Sequence, residues 1–116
     1  MAGAAKDDYL LRQVQLVIDQ LTNALAKVAA GDMVQGKKDV AEAANQLLGG
    51  RSALLDRLDA ATAAQLINDP DVIGGYAEVA KALATIAGLE GNAAREEQLN
   101  KRSGVLRAQA ESRRRS

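Results

Sequence analysis

Between Leu11 and Val28 the apolar residues Leu11, Val14, Ile18, Leu21, Leu25 and Val28 recur at alternating steps of three and four. That rhythm matches the turn of an α-helix and sets all six side chains along one stripe. Leu10, Val17 and Ala24 widen the stripe. A face this broad needs more than one neighbour to cover it. The rest of the chain points the same way. No alternating apolar and polar run bounded by turn residues, the mark of a strand, occurs anywhere. A single proline and abundant alanine favour helix as well. The predicted fold is all-α, one domain over residues 1–116, with an ordered core over about 8–110 and flexible ends at 1–7 and 111–116.

Turn residues divide the helical pattern. Asp7 or Asp8 is suited to cap a first helix over 8–29, and Gly31 stands where a left-handed C-terminal cap is wanted. Asp32, with Gln35 at capping-box spacing, opens a second helix whose buried face is Met33, Val40, Ala44, Leu47 and Leu48. Gly49-Gly50 ends it, and the short join at Gly31-Asp32 makes the first two helices antiparallel. Leu54, Leu55 and Leu58 face inward from the next segment. The capping-box spacing of Thr62 and Gln65 leaves residues 52–68 open as one helix or as two, 52–60 and 62–68. Asn68-Asp69-Pro70 starts the following helix, weakened at Gly74-Gly75 and solid over 76–87, with Val72, Tyr76, Val79, Leu83 and Ile86 inward. After the Gly88–Gly91 turn, Asn92 caps a polar last helix. Only Leu99, Leu106 and Ala110 give it an apolar edge, so it is expected to lie on one neighbour and fray beyond about residue 108. The sum is four to five helices in two antiparallel hairpins, 8–48 and 72–110, joined by a short helical segment.

The chain resembles a family of small bacterial helical proteins of unknown function with tetratricopeptide-like hairpins. The residues that carry the likeness are Asp8-Tyr9-Leu10-Leu11-Arg12-Gln13, Leu25-Ala26, Gly31-Asp32 and Leu47-Leu48-Gly49. They continue in Leu54-Leu55-Asp56-Arg57-Leu58, Thr62-Ala63-Ala64-Gln65-Leu66-Ile67 and the turn at Gly91. The resemblance covers about 8–110. It implies a helical fold and brings no activity, cofactor or catalytic residue with it. The sixty residues between the two turns do not fit a regular repeat array.

Composition narrows the chemistry. Cysteine and histidine are both absent, which removes disulfides, Cys/His zinc sites, thiol catalysis and histidine-based triads. Asp56 with Asp59, and Asp69 with Asp71, are the nearest thing to paired carboxylates. They read as a solvated helix face and as cap residues respectively, and no metal or other cofactor is expected. The glycine pairs lack the lysine and hydroxyl that follow in a phosphate-binding loop. No apolar run approaches the roughly 20 residues of a membrane span, and residues 1–8 lack the apolar core of a signal peptide. A cytoplasmic location is therefore the expectation.

Charge is unevenly spread. Residues 1–94 carry 8 basic against 12 acidic side chains, a net of −4, whereas residues 95–116 carry 7 against 3, a net of +4. The excess ends in Arg113-Arg114-Arg115. Such a tail suits nucleic acid or an anionic surface, but neither Phe nor Trp is present to stack bases, and nucleic acid is not the favoured partner. The favoured function is a non-catalytic adaptor or scaffold that binds an unidentified protein. A second copy of the chain is a further candidate partner along the first helix. By analogy with tetratricopeptide-like hairpins, whose first helices line a groove, the partner-binding candidates are Arg12, Asp19, Asn23 and Lys27, with Lys81 and Thr85.

Overall fold

A computed structural model describes the backbone of residues 2–115 and the side chains of residues 9–115. Six α-helices follow one another: α1 (Ala2–Ala29), α2 (Met33–Leu48), α3 (Ser52–Asp56), α4 (Ala60–Ile67), α5 (Pro70–Leu89) and α6 (Ala93–Arg115). A single 3-10 turn, Gly49–Arg51, links α2 to α3. Among the described residues there is no strand.

The two tight turns share one construction. Gly31 and Gly91 take φ values of +100° and +80°, conformations that cost a side chain dearly. At the first, the amide of Asp32 donates to Lys27 O (2.9 Å) and that of Gly31 to Val28 O (3.0 Å). At the second, Asn92 donates to Ala87 O (2.8 Å) and Gly91 to Gly88 O (3.1 Å). These paired bonds use carbonyls that a helix end otherwise leaves without partners. The next residue then caps the following helix: Asp32 Oδ1 accepts from the amide of Gln35, and Asn92 Oδ1 from that of Arg95, both at 3.2 Å. Gln35 does not complete a capping box. Its side chain donates to Asp39 instead, at 2.9 Å.

α5 is the axis of the molecule. It lies against α1, α2, α4 and α6, and ten of its residues are buried. Small side chains make this possible. Ala77, Ala80, Ala82, Ala84 and Ala87 are all buried, and a Cβ at Gly75 would sit 3.0 Å from Leu47 Cδ2. By length and composition alone α5 is long and apolar enough to cross a membrane, although Glu78 and Lys81 interrupt its apolar run. Here its apolar surface is turned mostly inward, against the neighbouring helices. Gly36 plays the same role between the first two helices, where α2 crosses Ala24 and Val28 of α1.

Several boundaries and faces differ from those expected. α1 starts at Ala2, so Asp7 and Asp8 lie within the helix; their side chains fall outside the described residues. Residues 52–68 form two helices, and the cap between them is Asp59, which accepts from the amide of Thr62 (3.2 Å) and pairs with its hydroxyl (2.5 Å). α5 runs unbroken through Gly74-Gly75, because Asp69 caps it through the amides of Asp71 and Val72 and Pro70 occupies its first turn. α6 continues past residue 108 to Arg115 and lies on α4 as well as α5. On α1, Val17 and Ala24 from the flank of the stripe are buried, whereas Leu11 is 49% exposed and Ile18 half-buried. α2 and α5 cover one side of the stripe, and Leu11 stays largely open.

The glycines of α2 and α6 give opposite expectations. A Cβ at Gly36 would overlap Val28 Cγ2, so Gly36→Ala should lower stability by about 1–3 kcal/mol through overpacking. Gly104 lies in the interior of α6 with nothing near its Cβ position, so Gly104→Ala should raise stability by about 0.5–1 kcal/mol. Denaturant midpoints of the two variants check both signs.

Candidate functional site

Two features stand out from the scaffold, on opposite flanks of α6. The first is a groove of about 370 Å³. Its floor is α5, from Asp71 to Glu78, and includes Gly74 and Gly75. Leu11, Val14, Gln15 and Ile18 of α1 form one wall, and Arg107, Ala110, Glu111 and Arg114 of α6 form the other. One wall is therefore apolar and the other charged. Ion pairs tie the charged wall to the floor: Arg107 to Glu78 at 2.5 Å and Arg114 to Asp71 at 3.2 Å. Gly74 has no packing reason within the fold, since a Cβ there would meet only Arg114 Nη2, at an ordinary 3.5 Å. Glycine inside a helix costs about 0.5–1 kcal/mol relative to alanine. Its effect here is a low, open floor.

The second feature is a polar cluster on Tyr76 and Arg102. Tyr76 is 2% exposed and projects from α5 toward the end of α3. Its hydroxyl donates to Asp56 Oδ1 at 2.5 Å and accepts from Arg102 Nη2 at 2.8 Å. Arg102 comes from α6 and also donates to Leu58 O (2.7 Å) and Leu55 O (2.9 Å), carbonyls at and just after the end of α3. Its guanidinium carbon lies 5.3 Å from the Tyr76 ring centroid, within reach of a cation–π contact. Burial, and then the hydrogen bond to Asp56, push the Tyr76 hydroxyl up to about 12. Next to this cluster, Ser103 donates to Ala77 O at 2.8 Å and so satisfies its own buried hydroxyl.

The residues nominated from sequence fall elsewhere. Arg12, Asp19 and Asn23 are exposed on α1, at steps of seven and four, and none of them lines the groove itself. Asp19 accepts from Gln15 at 3.1 Å. Asn23 and Lys27 do come together, in a shallow hollow with Gln20, Asp39 and Glu42 between α1 and α2. Lys27 is held there by Asp39 at 2.6 Å, and that hydrogen bond raises the ammonium and lowers the carboxylate. Lys81 is exposed on α5, and the Thr85 hydroxyl donates back to Lys81 O at 3.2 Å. The described clefts do not unite the α1 and α5 sets.

The acidic pairs have structural employment that was only partly expected. Asp59 and Asp69 cap α4 and α5. Asp56, read from sequence as a solvated position, accepts from Tyr76, and Asp71 pairs with Arg114. Among the described residues no group of three or more carboxylates converges as a metal site would require. The tail arginines are engaged too. Arg113 donates to Gln109 Oε1 (2.7 Å), Arg114 to Asp71 and Arg115 to Glu111 (3.1 Å).

Sequence reasoning missed the groove and the Arg102 cluster. A signal for the groove was present in Gly74, a second glycine beside one already needed for packing. A signal for the cluster was the single tyrosine in an alanine-rich helix. Comparison with family models, curated proteins and solved structures finds no match for this chain.

The Tyr76 environment predicts an alkaline transition. Folding favours the protonated phenol, so the folded chain holds its proton where an unfolded one, titrating near 10, has lost it. The resulting stabilisation is complete below pH 10 and should be lost progressively as pH rises toward 12. Phenolate absorbance and unfolding midpoints, measured in a Tyr9→Phe background so that Tyr76 alone reports, check the midpoint and the sign.

Proposed function

We propose that the chain is a non-catalytic protein-interaction module, an adaptor or scaffold that receives a partner segment in the groove between α1 and α6. The observation that carries this reading is the open floor at Gly74: a helix-interior glycine that no internal neighbour requires, between an apolar wall and a charged one. An amphipathic partner segment fits such a groove, with apolar side chains toward Leu11 and Ile18 and polar ones toward Arg107 and Glu111. The arrangement also supports a tetratricopeptide-like reading of the two hairpins. α5 lies against both α1 and α2, as the first helix of one hairpin lies against the preceding pair. On that reading the site moves from the outer strip of Arg12 and Asp19 to the flank that faces α6.

Arg114 and Arg115 pair with Asp71 and Glu111 at exposed positions, so a phosphate on the tail would compete with these carboxylates.

Gly74→Gln tests the groove. Glutamine is the better helix former and its side chain would lie across the floor, so the variant should keep or gain thermal stability while losing at least tenfold in partner affinity. The measurement is capture of partners from native lysate, followed by titration of whichever protein the wild-type chain retains. Arg12→Ala should leave that affinity unchanged. Equal retention by wild type and Gly74→Gln, with loss in Arg12→Ala, would move the site back to the outer strip of α1.

A further inference from the structure

The other flank of α6 holds a cleft of about 440 Å³. It is lined by Asp56, Leu83, Arg95, Gln98, Leu99 and Arg102. A volume of this size is within the range of small-ligand sites, which combine an apolar surface with a few convergent polar groups. Leu83 and Leu99 supply the apolar surface. Arg95 stands two helical turns before Arg102 on one side of α6, and its guanidinium has no hydrogen bond or ion pair among the described residues. Arg102 spends three of its N–H groups on Leu55, Leu58 and Tyr76, which fixes its plane and leaves two of the five that a guanidinium carries. Asp56 is held by Tyr76 through one oxygen, so the other is left to accept from a ligand.

We propose that this cleft binds a terminal α-carboxylate that carries an adjacent N–H donor and an apolar side chain. The carboxylate sits on Arg95 and on one of the two remaining N–H groups of Arg102, the N–H donates to Asp56, and the side chain rests on Leu83 and Leu99. A bare anion makes poor use of the site, because Asp56 would face it with no donor between them. A neutral apolar molecule leaves Arg95 unanswered. A group with both charge and donor on an apolar body answers Arg95, Arg102, Asp56 and the two leucines together. A free apolar amino acid and the last residue of a peptide chain both present this chemistry. The assignment stands apart from the docking groove, which lies across α6.

Three probes test it: L-leucine, N-acetyl-L-leucine and N-acetyl-L-leucine amide, titrated into the full chain and followed by NMR at the Leu83 and Leu99 methyls and the Arg95 Nε. The carboxylate-bearing probes should shift these signals in a saturable way, and the amide should not. Binding of L-leucine alone would identify a free amino acid as the source, and binding of the acetylated form a peptide terminus; either supports the site. Arg95→Gln removes an exposed side chain without a structural partner and should weaken binding at least tenfold with an unchanged fold. No saturable shift with either carboxylate, equal binding of the amide, or full affinity in Arg95→Gln would each overturn the proposal.

Discussion

The fold depends on how closely its helices can approach α5. The chain has no Phe and no Trp, and among the described residues Tyr76 is the one buried ring, so large side chains do little to fill gaps between helices held at ordinary distances. Alanine and glycine solve this by letting backbones come near one another, and the aliphatic side chains then close the space that remains. Gly75 against Leu47 and Gly36 against Val28 are two such close approaches. A core built in this way is dense but shallow. Each position contributes little transfer free energy, and each is intolerant of added volume. The cost of a misplaced methyl is therefore high relative to the gain from any one buried residue.

Where small residues cannot reach, a polar contact spans the gap. α3 has only five residues, too few to hold itself in place by packing. Arg102 binds the carbonyls at its end and stacks near Tyr76, which in turn holds Asp56. The charge is compensated by oriented carbonyls and a hydroxyl, the arrangement that makes partial burial of a guanidinium tolerable. The cluster anchors the α3–α4 connection to α5 and α6 and also shapes one wall of the cleft beside it.

The helices and their turns were legible in the sequence because they are set locally. Gly31-Asp32 and Gly91-Asn92 announce both the end of one helix and the cap of the next, and the structure uses each as read. The sites were not legible, for a physical reason. A helical stripe shows which side of α1 is apolar, but the rotation of α1 against α5 decides whether Leu11 and Ile18 are covered. That rotation depends on contacts such as Val14 with Gly75, between residues far apart in the chain. Arg102 was invisible for a similar reason. In α6 it is one charge among many, and its partners Leu55 and Leu58 are backbone oxygens that no residue pattern marks.

The Arg102 contacts have a kinetic consequence. Within each hairpin the helices meet across a three-residue turn, so those contacts close small loops and are expected to form early. The bonds from Arg102 to Leu58 and Leu55 join positions 44 and 47 residues apart, and they require α3, α5 and α6 to be in place together. They are therefore expected to form late in assembly and to open early. Their removal is expected to shorten the life of the native state more than it slows folding. In this molecule the arginine functions less as a brick than as a latch.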